Sequence, residues 1–254
     1  MKKGLVASVT FALMLILSNV SFADDVIEDG SMMLEVRNFN PSLTMKAQVS
    51  GDASATDFKN TLGLADKRAN EFRLYLSRTL RFSYTKFSYG GTNQITQSVT
   101  YNGQLFSGST DVTTDVNINY YRFSWLIPVT TSDDMTTKWI FDIKGFKFDS
   151  KLQSVTTPSA NTQKSFTGAI PTVGVSTSFR LASDLTAYAE ITGLPLGKYG
   201  HFYDMEGGLR YDVGNFSLGA GYRNFDLNVK DGNAGGDFVQ LKLAGPYYNL
   251  MYKF

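Results

Sequence analysis

The sequence contains no cysteine, so the protein has no disulfide bond, thiolate metal site, iron–sulfur cluster or cysteine nucleophile. It contains one histidine, which argues against a transition-metal site. An excess of charge of either sign is also absent, because 24 basic residues are balanced by 23 acidic ones. A chain without a basic block has no strong attraction for nucleic acid, and no nucleic-acid partner is predicted.

The first 23 residues have the order of a secretory signal peptide. Lys2 and Lys3 precede an apolar stretch from about Leu5 to Val20, which is followed by Ser21-Phe22-Ala23. Cleavage is predicted after Ala23, which leaves residues 24–254 as one mature domain. The alternative is a retained membrane anchor, for which the apolar stretch is short.

The rest of the chain lacks any run of roughly 18 apolar residues, the length that a transmembrane helix needs. It alternates with period two instead. Odd positions from 121 to 127 are aromatic or aliphatic and interleave Arg122 and Ser124. Trp139, Phe141 and Ile143 likewise alternate with Asp142 and Lys144. Closed barrels are the only other structures that satisfy every backbone polar group in lipid. The pattern therefore predicts an all-β fold, a transmembrane antiparallel up-and-down β-barrel.

Turn-forming residues divide this region into about ten strands, with eight as the alternative if the first hairpin is not a full pair of strands. Short links alternate with longer ones, as periplasmic turns alternate with external loops, and an even count places both termini on the periplasmic side. The strands are predicted at 33–49, 69–77, 79–90, 115–128, 136–149, 165–181, 185–193, 203–213, 216–229 and 237–254, with short links near 77–79, 130–134, 182–184 and 213–215.

Two external segments carry local signals. Asn102-Gly103 between residues 98–101 and 104–106 predicts a β-hairpin with a type I′ turn, which we expect to project beyond the membrane as a β-extension. The segment 57–67 is predicted to be an exposed loop, with a short helical turn as the alternative.

The last strand changes its apolar parity. Apolar residues have odd numbers in 239–243 but even numbers in 248–254. Because a slip of one residue moves every side chain to the other face, a bulge is predicted at Gly245-Pro246. The alternative is that the strand begins later and its upstream part lies outside the membrane.

The C-terminus carries the most specific motif. Tyr248, Leu250, Tyr252 and Phe254 alternate with Asn249, Met251 and Lys253, and the chain ends on an aromatic residue. With the signal peptide, this strand resembles those of small Gram-negative outer-membrane β-barrel proteins. The resemblance implies location in the outer membrane, contact with outer-membrane lipid and lipopolysaccharide, and recognition by the barrel assembly machinery through Tyr248, Leu250, Tyr252 and Phe254.

Aromatic residues cluster near the proposed periplasmic ends of the strands. Trp125 and Trp139 flank the turn at 130–134, and both stand at the odd positions that are apolar in their strands. Further aromatic residues of the same kind are Phe179, Tyr211, Phe216 and Phe254. They predict a girdle at the membrane interface, and the alternative role for tryptophan is a ligand-stacking platform.

The inward parity collects a mixture of acids and bases. They are Glu35, Arg37, Glu71, Arg73, Arg81, Arg122, Asp142, Lys144, Glu190, Glu206, Arg210, Arg223 and Lys242. A barrel of this size is narrow enough for side chains to fill it, so we predict a plug of ion pairs that stabilises the barrel. The alternative is a narrow pore, in which an excess of arginine and lysine favours anions.

Catalytic residues are sought around the single His201. Asp204 and Glu206 follow it, but no adjacent serine is present, and neither the His-x-Ser pattern of lipid A deacylase barrels nor the Asp-x-His pattern of omptin proteases occurs there. His201 is interpreted as a solvated loop residue, and Asp133-Asp134 as part of a turn. The sequence predicts no catalytic, cofactor-binding or metal-binding residue.

These observations predict a non-enzymatic outer-membrane barrel with a structural, adhesive or surface-binding role. The first alternative is a narrow, anion-preferring pore. The second alternative is an outer-membrane lipid hydrolase that depends on His201.

Overall fold

The computed structural model describes residues 32–48, 55–156, 161–231 and 236–254. The predicted signal peptide lies outside these residues. The described part is almost entirely β-structure, with one short 3₁₀ turn at Gly197–Tyr199. The strands are β1 Met32–Phe39, β2 Ser42–Gln48, β3 Thr56–Asp57, β4 Ala69–Leu76, β5 Leu80–Gln94, β6 Val99–Tyr101, β7 Gln104–Phe106, β8 Asp111–Thr131, β9 Met135–Ser154, β10 Asn161–Ala182, β11 Leu185–Pro195, β12 Gly200–Val213, β13 Phe216–Lys230 and β14 Phe238–Lys253.

Antiparallel pairing closes these strands into a barrel of ten. Each long strand pairs with its successor, and β14 pairs with both β13 and β1. β1 and β2 follow one register along β14 and form a single barrel strand interrupted at Asn40-Pro41. The ten predicted strands and the four predicted short links are therefore confirmed. No helix in the described ranges has the length and hydropathy to cross a membrane.

The strands on one side of the barrel are much longer than a membrane crossing requires. A transmembrane strand needs about 9–11 residues, whereas β8, β9 and β10 have 21, 20 and 22. These strands continue beyond the lipid on the side of the long loops. Several predicted loop residues, such as 90–94 and 150–154, are consequently part of strands.

The predicted bulge at Gly245-Pro246 is wrong. β14 keeps one register with β13 from Phe238 to Tyr252, and its odd positions face inward along the whole strand. Apolar parity changes because the surroundings of the strand change. Within the membrane the outer face meets lipid, whereas above it the outer face meets water and the apolar residues turn inward. The alternative is wrong in one respect, because the strand does not begin later. Its placement of the upstream part outside the membrane agrees with the outward polar residues Gln240 and Lys242.

Gly245 leaves room for the backbone of the neighbouring strand. A Cβ atom at this position would collide with the carbonyl oxygen of Asn40, where the first barrel strand is interrupted. The amide of Asn40 donates to the carbonyl oxygen of Pro246 at 3.0 Å, so the interruption keeps a hydrogen bond across it.

The segment 57–67 is exposed only in part, at Asn60 and residues 65–67, and the alternative of a short helical turn is correct. Its first residues form a helical turn, in which the amide of Thr61 donates to the carbonyl oxygen of Asp57 at 2.9 Å. Asn93 of β5 donates its side-chain amide to the carbonyl oxygen of Thr61 at 3.0 Å. Side chains from the segment are buried at the external end of the barrel: Phe58, Leu62 and Leu64. We call residues 55–68 the cap segment.

The predicted hairpin forms, but it does not extend the barrel wall. β6 and β7 make a separate two-stranded sheet, with φ of 50° at Asn102 and 77° at Gly103. Tyr101 is buried with its ring centroid 5.6 Å from that of Phe58, and Phe106 is also buried. The hairpin packs inward because its apolar side chains find a core inside the external end of the barrel.

Candidate functional site

The lumen of the membrane-spanning part is occupied by charged side chains, each in a residue at most 7% exposed. They form one chain of ion pairs in which acids and bases alternate. Its order is Glu35, Arg37, Glu206, Arg73, Glu71, Arg223, Asp204, Lys144, Asp142, Arg122, Glu190 and Arg81. Six carboxylates face six cations, so the chain is neutral. We call it the luminal network.

Glu206 of β12 binds two arginines of the luminal network. Arg37 of β1 places Nη1 2.8 Å from its Oε2, and Arg73 of β4 places Nη2 2.7 Å from the same oxygen. Neither β1 nor β4 is a neighbour of β12 in the sheet. These ion pairs therefore cross the lumen.

Glu190 of β11 also binds two arginines, and it lies directly opposite Glu206 in the register of β11 and β12. Two facing carboxylates would repel each other without compensation. Arg81 of β5 lies 2.8 Å from Glu190, and Arg122 of β8 lies 2.5 Å from the same carboxylate. Each carboxylate thus receives two guanidinium groups from distant strands, which is the pairing that a buried charge requires.

Asp204 connects the two halves of the luminal network. Arg223 donates to both of its oxygens at 2.8 Å, and Lys144 approaches it at 3.2 Å. Lys144 also lies 3.5 Å from Asp142, which binds Arg122 at 2.6 Å. Burial without such partners would be strongly unfavourable for every one of these groups.

Aromatic side chains lie against the external side of the luminal network. Tyr120 donates its hydroxyl to Asp204 at 3.2 Å. The amine of Lys144 lies 4.7 Å from the ring centroid of Phe202, and the guanidinium of Arg37 lies 4.1 Å from that of Tyr247. Cations above aromatic faces are attracted by the ring quadrupole. A layer of aromatic side chains therefore lies directly against the external side of the charged layer.

Beyond this aromatic layer the lumen becomes an apolar core like that of a water-soluble protein. The extended strands contribute inward side chains, and the cap segment and hairpin fill the space between them. The core includes Phe39, Leu43, Met45, Phe58, Leu62, Leu64, Phe87, Ile95, Tyr101, Phe106, Val112, Val116, Ile118, Leu152, Leu241 and Leu243. Sequence reasoning missed this core, although the parity change in the last strand was its signal.

The same signal is present in other strands. In β8 the inward Val116, Ile118 and Tyr120 are buried, whereas Tyr121 and Phe123 of the membrane part are 51% and 36% exposed. Such a parity change without a register shift indicates a strand that leaves lipid and enters water.

Asp66 anchors the cap segment to the barrel. Its Oδ1 accepts the amide of Leu43 at 2.7 Å and the amine of Lys59 at 2.7 Å. Partial burial raises the pKa of Asp66, but the hydrogen bonds from Leu43 and Lys59 outweigh it and hold the pKa below the ordinary value. The ionised carboxylate is therefore the form that holds the cap segment in place.

The predicted luminal residues are brought together with two exceptions. Lys242 is not inward, because even positions of β14 face outward. Arg210 lies inward near the periplasmic end, outside the luminal network, with Nε 3.1 Å from Asp212. Asp204 was missed as a luminal residue, although its even position in β12 places it on the same face as Glu206. The predicted excess of cations is therefore wrong for the luminal network.

His201 is not a loop residue. It belongs to β12, and its side chain is 34% exposed on the outer face of the wall above the membrane. Nε2 lies 3.4 Å from Asp226, and the ring stacks on Tyr203. Asp204 and Glu206 point into the lumen, on the opposite face. The structure therefore separates His201 from both carboxylates that follow it in sequence.

Within the part of the chain that the structure describes, no group of three or more histidine, aspartate or glutamate side chains is arranged to hold a metal ion.

The outer wall of the membrane part is apolar. Large apolar side chains that are exposed on the outer face cover it, including Phe72, Phe82, Ile143, Val173, Leu209, Leu218 and Leu250. Of the predicted aromatic residues, Trp139, Phe179, Tyr211, Phe216 and Phe254 lie outward near the ends that carry the short turns, between 46% and 63% exposed. Trp125 lies on the outward face of β8 and is half-buried. Tyr84 and Tyr121 pack together near the external boundary, with ring centroids 5.1 Å apart. An apolar band between aromatic girdles is typical of a wall in lipid.

A closed antiparallel barrel with an apolar outer band and a polar lumen defines the class of outer-membrane β-barrels, and the chain has this fold. No protein-family model matches the sequence, and no curated protein is significantly similar to it.

Several solved structures are similar to this chain, and one of them has a TM-score above 0.5. The outer membrane protease OmpT from Escherichia coli matches with a TM-score of 0.60 and 9% identity, over 93% of this chain and 99% of that chain. The transport unit of the autotransporter AIDA-I from Escherichia coli matches with a TM-score of 0.42 and 9% identity, over 96% and 97% of the two chains. The attachment invasion locus protein Ail of Yersinia pestis matches with a TM-score of 0.32 and 7% identity, over 87% and 99%. At this identity the likeness to OmpT concerns the fold alone.

Proposed function

We propose that the chain is an integral protein of the Gram-negative outer membrane, exported by its N-terminal signal peptide, with a closed lumen and a structural, adhesive or surface-binding role. The observation that carries this proposal is the luminal network, whose ion pairs cross the barrel between strands that are not neighbours. The apolar outer band supports the membrane location.

Two barriers in series oppose the passage of ions. In the membrane part, an ion would have to break buried pairs and leave their partners uncompensated. Above that layer it would have to cross an apolar core, where a charge has no favourable partner. The neutral luminal network also gives no basis for the anion preference of the alternative pore.

Conductance in planar lipid bilayers tests the closed lumen. We expect the refolded full chain to insert without producing reproducible single-channel steps. A general porin reconstituted in the same membranes serves as the positive control. Reproducible conductance of the inserted wild-type protein would contradict the closed lumen and favour the pore.

The hydrolase alternative depends on His201, and we propose that the protein is not an enzyme. His201 faces outward beside Asp226 and lies apart from the luminal carboxylates. We expect the lipids of cells that produce the wild-type protein to match those of cells that produce His201→Ala. A lipid modification present only with the wild-type protein would instead support catalysis.

The proposed partners are outer-membrane lipid, lipopolysaccharide and the barrel assembly machinery. β14 closes the barrel against β1, and the amide of Phe254 donates to the carbonyl oxygen of Met32 at 2.9 Å. Recognition through Tyr248, Leu250, Tyr252 and Phe254 predicts that Phe254→Asp lowers abundance in the outer membrane while export across the inner membrane continues. Cell fractionation measures both quantities.

A further inference from the structure

β10 has an unpaired edge above the closed part of the barrel. It pairs with β9 over residues 161–179, but with β11 only over 173–182. Pairing with β11 stops where the register places Pro171 opposite Pro195, and proline has no amide to donate. Within the ranges that the structure describes, no other strand pairs with the part of β10 above that point. We call residues 163–170 the open edge.

Strand parity identifies the backbone groups that the open edge leaves unpaired. The amide of Arg180 donates to the carbonyl oxygen of Asp134 at 2.8 Å, and the register between β9 and β10 does not shift. Since the backbone groups of successive residues point to opposite sides of a strand, even positions of β10 bond to β9 and odd positions point away from it. The amides and carbonyls of Ser165, Thr167 and Ala169 therefore have no backbone partner in the described structure.

The side chains of the open edge are also uncovered. Phe166 points to the inner face, yet it is 57% exposed, whereas Leu152 on the same face of β9 is fully buried. The Phe166 ring lies over Gly168, where a Cβ atom would be 2.9 Å from it. The hairpin touches the top of the open edge, where Asn102 donates to the carbonyl oxygen of Gln163 at 3.3 Å.

The opposite edge of the same extended sheet is covered. It belongs to β5, which pairs with β4 only as far as Thr85. Beyond that point the cap segment lies against it. Asn93 donates to the carbonyl oxygen of Thr61 at 3.0 Å, and a Cβ atom at Gly91 would collide with the carbonyl oxygen of Gly63. In the described ranges, the chain thus covers one edge of this sheet and leaves the other open.

An uncovered strand edge is a template for pairing with another strand. Proteins usually block such edges with charged side chains, proline or bulges. Here no charged residue occurs from Ser165 to Ile170, and Pro171 stands at the lower end, where it stops pairing within the wall. The centre of the open edge is therefore free to accept a strand.

A second copy in the same membrane is a poor occupant. Its β10 would run toward the periplasm in the same direction, so a two-fold axis between the copies would place identical backbone groups at equal heights. Amides would then face amides, whereas a β-ladder needs each donor opposite an acceptor. The open edge fits a strand from a different polypeptide better.

We propose that the open edge binds an extended segment of another polypeptide outside the cell, which adds to the sheet as a further strand. Backbone hydrogen bonds to Ser165, Thr167 and Ala169 hold the segment, and one of its apolar side chains packs against Phe166. The segment therefore alternates apolar with polar residues. This inference rests on the proposed outer-membrane location, and it deepens the surface-binding role by naming the surface and the class of partner.

Removal of one edge amide tests the proposal. Thr167→Pro deletes an N–H that points away from β9, so β10 keeps its pairing with β9, and proline is tolerated at strand edges. Thr167→Ala is the matched control, because it changes the side chain and keeps the amide. The probe is a fluorescent peptide of alternating threonine and valine with a glutamate at each end. Its binding to the refolded full chain in detergent is measured by fluorescence anisotropy.

We expect saturable binding to wild type and Thr167→Ala, and binding that is several-fold weaker in Thr167→Pro. Phe166→Ala should also weaken it, through the lost apolar contact. No saturable binding to wild type, or equal binding by Thr167→Pro, would overturn the proposal.

Amide hydrogen exchange measured by NMR locates the bound peptide. The amides of Ser165, Thr167 and Ala169 should exchange rapidly in the free protein and slow down when the peptide is added. Slow exchange without peptide would mean that the edge is already covered, by the chain itself or by a second copy, and would overturn the proposal.

Gel mobility before and after boiling separates these results from a failure of the proposed function. A variant that keeps the mobility shift has folded as a barrel, so its peptide binding tests the open edge alone. Failure of the wild-type protein to fold in membranes would contradict the proposed function, and this inference with it.

Discussion

Adjacent residues of one strand meet opposite environments in this protein. Phe141 faces the lipid, while Asp142, 3% exposed, faces the luminal network and binds Arg122. Strand geometry alone produces this separation, because successive side chains point to opposite faces. The energetic cost of a substitution is therefore set by the parity of its position as much as by the residue introduced.

Phe141→Arg tests the lipid-facing assignment. We expect it to lower the free energy of unfolding by about 2–4 kcal/mol if the site lies near the bilayer midplane, because lipid offers the guanidinium no partner. Phe141→Leu is the control and should change it much less. Denaturant titration of protein refolded into lipid vesicles measures both, and an arginine variant as stable as wild type would show that the faces are wrongly assigned.

Substitutions at Glu190 and Arg81, at one end of the luminal network, test whether its charges compensate each other. Glu190→Gln leaves Arg81 without a carboxylate and should cost about 3–5 kcal/mol, the usual effect of an uncompensated buried charge. Adding Arg81→Met restores neutrality and leaves a shorter alternating chain. The double variant should therefore be destabilised by less than the sum of the single variants. Strict additivity in the same titration would argue against a coupled network.

At the scale of elements, each long strand has two parts with one register. The membrane part is apolar outside and charged inside, whereas the external part is polar outside and apolar inside. β14 and β8 show the change without any shift of pairing along β13 and β9 in the regions concerned. The cap segment and the hairpin then complete the external core, which the extended strands leave open.

The cap segment should depend on pH through Asp66. Its pKa is held below the ordinary value in the folded protein, so the ionised form stabilises the folded state at neutral pH. This contribution is fully present above the unfolded-state pKa of about 3.9 and is lost as pH falls through the lower folded-state pKa. Hydrogen exchange of residues 57–67 should therefore accelerate at low pH, after correction for intrinsic rates.

Asp66→Asn provides the comparison for that measurement. The variant should exchange faster than wild type at neutral pH and show a smaller change on acidification, because it has no carboxylate to protonate. Identical pH profiles for wild type and variant would mean that Asp66 does not anchor the cap segment.

At the scale of the whole molecule, closure of the sheet joins the two kinds of interior. β14 pairs with β1, so the wall has no free edge within the membrane part. Closure also holds the distant strands at the separation that the luminal ion pairs require. The barrel and its contents therefore stabilise each other.

A closed and filled barrel should resist unfolding by detergent. We expect a β-rich circular dichroism spectrum and a change of mobility on SDS gels after boiling, because no edge is available from which the sheet can separate. A helix-dominated spectrum, or identical mobility before and after boiling, would contradict the fold.

The sequence by itself determined the strands, the short turns and the faces of the membrane part. Alternation of period two is a local property of the sequence. In a barrel with lipid outside and polar groups inside, it assigns each position to one face directly, as at Phe141 and Asp142. The same rule failed for Lys242 and for the proposed bulge, because it assumed lipid around the whole strand.

Only the tertiary structure decided which acid pairs with which base and what fills the external end. Glu206 meets Arg37 and Arg73 because closure brings β12 opposite β1 and β4, and no local pattern encodes that contact. Phe58 and Tyr101 are buried for the same reason. Their apolar side chains are read locally as parts of loops, and the closed wall is what provides the interior that they enter.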